Sequence, residues 1–156
     1  MELNVQLREA LERQVIESDG EGAAQIIQVA IMDHTAIEVG DGLLDAGAIV
    51  LRRMVRETEE TLVAPDLLSR LALDGAVPEE RIELLTDTMT MAASTAGGIR
   101  PSVEALVTRE GVEDAMFGLW LGLLTVIRVV AMVLDQTEAE VVEDLGHTLD
   151  PFDSLG

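Results

Sequence analysis

A chain of 156 residues, nearly half of them apolar, is long enough to bury a core of its own, and disorder of the whole is excluded. Thirty acidic residues against ten basic ones set the formal charge at −20, which excludes the cationic surface that phosphate-backbone binding requires; no nucleic-acid partner is expected. All ten basic residues are Arg, and the absence of Cys removes disulfide frameworks and thiolate metal sites.

The acidic surface suits solubility of a rather apolar protein, with a basic protein partner as the sharper alternative. Two Phe, one Trp and no Tyr leave Leu, Val, Ile, Ala and seven Met to fill the core, which is helix-on-helix packing material. The first fourteen residues, MELNVQLREALERQ, lack a basic stretch followed by an apolar one, so no signal peptide is expected and residence is taken as cytoplasmic.

Leu3, Leu7, Leu11 and Val15 recur at helical spacing among charges and predict a first amphipathic helix, ended by Ser18-Asp19-Gly20-Glu21-Gly22. From residue 23 to about 61 the apolar phase continues, and it survives Gly40-Asp41-Gly42; one long helix, kinked at the glycines, is expected. Pro65 opens a short helix over 66–71, and residues 74–78 form the next turn. Pro78, followed by Glu79 and Glu80, starts a helix that runs to Gly97-Gly98. A short helix over 102–109 stops before Gly111.

The segment 115–134, AMFGLWLGLLTVIRVVAMVL, is the most apolar stretch, broken only by Thr125 and Arg128. It matches a bilayer in length. Its flanks, Glu113, Asp114, Asp135 and Glu138, carry none of the Lys/Arg excess of a spanning helix, so a buried central helix or a subunit seam is expected and membrane attachment is disfavoured. A last helix over 138–145 precedes an acidic tail, 149–156. The fold class is all-α: one compact domain (1–148) of six or seven helices around the central helix, which dimerisation would complete.

Chemistry-bearing constellations are few. His34, Glu38, Asp41 and Asp45 are spaced four, three and four apart, so a single helix would present them along one line, where they are weak candidates for a divalent metal or an acid–base pair. Arg52 and Arg56 prolong that line, and a face that turns from acidic to basic is first of all ordinary solvated patterning. No nucleophile elbow, P-loop, Rossmann fingerprint or zinc-protease motif is present. No catalytic residue, cofactor or cofactor-binding residue is assigned.

Gly118 and Gly122 form a G-x-x-x-G pattern, and Ala36, Gly40 and Gly47 a second small-residue seam; crossing these two helices is the expected contact. Asp33 and Arg128 fall on apolar arcs of the two longest helices, where each satisfies the other most simply as a buried ion pair, within a subunit or across the dimer seam; the alternative is an Arg128 on a narrow wet edge whose guanidinium reaches water. The expected function is a non-enzymatic acidic helical interaction protein that acts as a homo-oligomer, a dimer above all, or as an adaptor. A binding domain for an apolar small molecule, suggested by Met on most helices, is the alternative, and a carboxylate/His metal enzyme ranks behind it.

Overall fold

The computed structural model describes residues 2–59 and 79–149, with side chains for all of these but 79 and 80. The described residues form seven α-helices in one all-helical domain, without strands. The helix expected over 66–71, the turn over 74–78 and the tail beyond Leu149 lie outside them.

Helix α1 (Leu3–Leu11) runs into a π-helical turn, Glu12–Ile16, and buries Leu7, Ala10 and Leu11. Asp19 then caps α2 (Gly20–Asp33), its Oδ1 accepting from the Gly22 amide at 2.9 Å. The long helix expected from 23 to 61 is two helices. The chain breaks at His34 and Thr35, and α3 (Ala36–Thr58) passes through Gly40 and Gly42 without interruption.

The cause of the break is a capping contact. Thr35 adopts extended backbone and its Oγ1 accepts from the Glu38 amide at 3.1 Å, which satisfies an end-of-helix donor and starts a new helix. Inside α3 the glycines are there for close packing. A Cβ on Gly40 would lie 2.5 Å from Val103 Cγ1, so the helix needs a bare backbone where that side chain sits.

Helix α4 (Glu79–Ala96) ends at Gly97-Gly98. Ser102 caps α5 (Val103–Glu110) by accepting from the Ala105 amide. Gly111, at φ +89°, turns the chain directly into the central helix α6 (Val112–Leu134). Helix α7 (Glu138–Leu149) opens on a reciprocal cap: Thr137 Oγ1 accepts from the Glu140 amide, and Glu140 Oε1 accepts from the Thr137 amide. It extends to a buried Leu149, four residues past the expected end.

Helix α6 packs most extensively against α3 and then α4, and α5 and α7 flank it. Gly40 faces Leu119 and Gly47 faces Leu123, while Gly118 faces Leu84 and Gly122 faces Thr88, so α3, α4 and α6 run in the same sense. The two small-residue seams therefore do not meet. The α6 glycines receive α4 side chains, and the α3 glycines receive Val103 from α5, Ala92 from α4 and large α6 side chains. Close approach of two bare backbones would leave these side chains unplaced; large-into-small packing fills the space instead.

Around this contact Val126, Ile127, Val129 and Val130 are wholly enclosed with Val39, Leu43, Met54, Leu85 and Met89. Of the four buried polar residues among those described, three, Thr88, Thr95 and Thr125, return their hydroxyls to carbonyls three or four residues back in their own helices.

Candidate functional site

One side of α6 keeps a run of partly and largely exposed side chains. Phe117, Leu121, Leu124, Arg128 and Met132 follow one another at spacings of four, three, four and four, so they form a single line about 22 Å long. Phe117 is 48% exposed and Met132 57%, Arg128 is exposed, and Leu121 and Leu124 are partly covered. The stripe is an apolar face turned to solvent on the most apolar helix of the chain.

Its electrostatic frame is acidic at both ends. Glu113 and Asp114 stand exposed at the N-terminal end, Asp135 at the C-terminal end, and Arg128 is the lone cation between them. Arg81, reaching over from α4, bonds Asp114 at 3.2 Å and sits 4.9 Å above the Phe117 ring. Among the described residues Arg56 and Arg128 are the two arginines with no hydrogen bond or ion pair, although acids outnumber bases threefold.

The Asp33–Arg128 ion pair is not made within the chain. Both side chains are exposed, and Asp33 Oδ2 instead accepts from Gln6 Nε2 at 2.9 Å. The break at Thr35 accounts for this: Asp33 ends α2, so the helical arc that would have buried it in a continuous helix does not exist. Arg128 belongs to the solvent-facing line of α6.

The four metal candidates are divided by the same break. His34 is the C-cap of α2 and its Nδ1 lies 3.7 Å from Glu38 Oε2. Its Nε2 lies 3.1 Å from Gln6 Oε1, so the buried Gln6 amide ties α1 to the α2–α3 joint. Asp41 and Asp45 are held elsewhere, by Arg100 at 3.4 Å and 2.6 Å. Their hydrogen bonds and charges, Asp45 foremost, push the Arg100 pKa above its ordinary value, and the guanidinium occupies the space between these two carboxylates. No three His, Asp or Glu side chains converge as a metal site would require among the described residues.

A second feature was not legible in the sequence. Between the C-terminal turns of α3 and α4 lies an open groove of about 460 Å³ lined by Leu51, Met54, Val55, Ala93, Ala96 and Gly97 together with Arg52 and Arg56. Arg52 is anchored across the gap, donating to the Thr95 and Ala96 carbonyls at 2.9 and 3.1 Å.

Helix α6 is the one described helix long and apolar enough to cross a membrane, but 56% of its most apolar window is buried in the fold, as in a core helix. No protein-family model, no curated protein and no solved structure matches the chain.

Proposed function

We propose that the chain is a non-catalytic assembly protein that pairs with a second copy of itself through the outward face of α6. The observation that carries this reading is the line of Phe117, Leu121, Leu124 and Met132, four large apolar side chains on one helix face that keep exposed surface, with Phe117 and Met132 about half open and only the Arg81 guanidinium reaching over the Phe117 ring. Singly exposed apolar residues are ordinary on a soluble protein, whereas a contiguous line of them favours a partner. Charge favours this place as well. In a chain of net −20, a strip without an acid between Asp114 and Asp135 is a place where two like-charged copies approach at lower cost.

Sedimentation velocity at micromolar concentration tests the reading. The expected result is a dimer for the natural sequence and a monomer for Phe117→Ser combined with Met132→Ser. Both sites are about half exposed, so circular dichroism of the variant should remain that of the folded helical chain. A natural chain that stays monomeric up to 100 μM removes the proposal.

The groove between the ends of α3 and α4 supports a second reading, a binding site for an apolar small molecule. Its volume lies within the range of small-ligand sites, about 300–1,000 Å³, and all six of its uncharged lining residues are apolar or Gly. Native mass spectrometry of freshly purified protein tests it: a co-purified mass that Ala93→Trp, at a partly exposed wall of the groove, abolishes is the expected result, and a ligand-free chain that takes up no long-chain alcohol when challenged overturns it.

A further inference from the structure

We infer that the two copies pair antiparallel across α6, on a two-fold axis passing between Trp120 and Leu121, with Arg128 of each chain bound to Glu113 of the partner subunit. This rests on the self-association proposed above and adds its geometry. Glu113 lies seven and a half residues before that axis and Arg128 seven and a half after it, so each stands about 11 Å from it along the helix. A two-fold interface is self-complementary, so the contact is made twice.

The same axis sets Phe117 opposite Leu124 of the partner subunit, aromatic against branched aliphatic, and brings Trp120 and Leu121 together at the centre. Charge selects this orientation over the other. A parallel pairing brings identical positions together, Arg128 on Arg128 and Glu113 on Glu113, and like charges set against each other reject a partner. Antiparallel pairing joins unlike charges. Both groups are exposed and have no partner within the described chain, whereas Asp114 next door is already engaged by Arg81.

Because the chain has no Cys, introduced thiols report position without background. Single variants Phe117→Cys and Leu124→Cys, oxidised alone and as a mixture, should cross-link efficiently only in the mixture, since a disulfide needs Cα atoms within about 7 Å. In parallel, Arg128→Glu should raise the dimer dissociation constant roughly tenfold or more, and adding Glu113→Arg should return it close to that of the natural sequence. Cross-linking of either variant alone, or a dimer indifferent to Arg128→Glu, overturns the antiparallel register and leaves self-association standing. A natural chain with no dimer at all overturns both.

Discussion

Asp33 shows how a single side chain changes meaning when its helix ends on that residue. Exposed and bonded to Gln6, it is one partner in a hydrogen bond rather than half of a buried ion pair. Replacing it with Ala is expected to cost about 1–2 kcal/mol, the loss of a charge-assisted bond and a less satisfied Gln6 amide, against the roughly 3–5 kcal/mol of orphaning a buried arginine. Chemical denaturation of Asp33→Ala, Arg128→Met and the double variant checks this: the two effects should add within about 0.5 kcal/mol. Gly118 is the converse case, a residue whose absence of a side chain is structural. A Cβ there lies 2.8 Å from Leu84 Cγ, so Gly118→Leu should overpack the α4–α6 contact. A cost of about 1–3 kcal/mol is expected, seen as a lowered Tm at every protein concentration. A Tm loss confined to concentrated, associated samples would show the glycine at a subunit seam instead.

Elements were legible where local chemistry announced them. Thr35 should contribute about 1 kcal/mol as an N-cap, so Thr35→Ala is expected to lower stability by that amount, whereas Thr35→Ser should be close to neutral; equal losses from both would show that the hydroxyl does not start α3. The residues Thr35-Ala36-Ile37-Glu38 form the T-x-x-E pattern of a helix start, and this was the signal by which the α2–α3 break could have been read. The glycines at 40 and 42, more familiar helix breakers, lie inside α3 instead. Helix α6, α5 and the Gly97-Gly98 stop were readable because their periodicity and punctuation agree. The apolar face of α6 was only half readable. Sequence reveals surplus apolar residues all round the helix, but only packing tells which arc α3, α4, α5 and α7 leave open. The groove between α3 and α4 was not readable at all, because it depends on which helix ends come together.

At the scale of the molecule, charge dominates. The folded chain holds a net −20 in a small volume, and the pairing proposed here brings two such bodies together. Screening relieves both repulsions: the Debye length falls from about 10 Å at 0.1 M salt to about 3 Å at 1 M. Tm is therefore expected to rise with NaCl over that range, and the dimer to tighten, although the Arg128–Glu113 pair alone would weaken. The long-range repulsion of many uncompensated acids outweighs the two symmetric exposed pairs, each worth about 1 kcal/mol or less. Thermal melts and sedimentation in a salt series check this; a Tm that is flat or falling in NaCl would show that self-repulsion does not limit the fold.

Trp120 lies half-covered on α6, beside the open stripe, and it is the only indole in a chain without tyrosine. Ultraviolet emission excited at long wavelength thus originates from one ring, next to the proposed axis. Association would withdraw that ring from water and shift its emission to the blue, so the molecule carries an intrinsic optical gauge of its own assembly. Dilution through the dimer's dissociation constant should move the emission maximum to the red while the helical signal in circular dichroism stays constant. An emission maximum that never moves while sedimentation records dissociation would place the seam on another face.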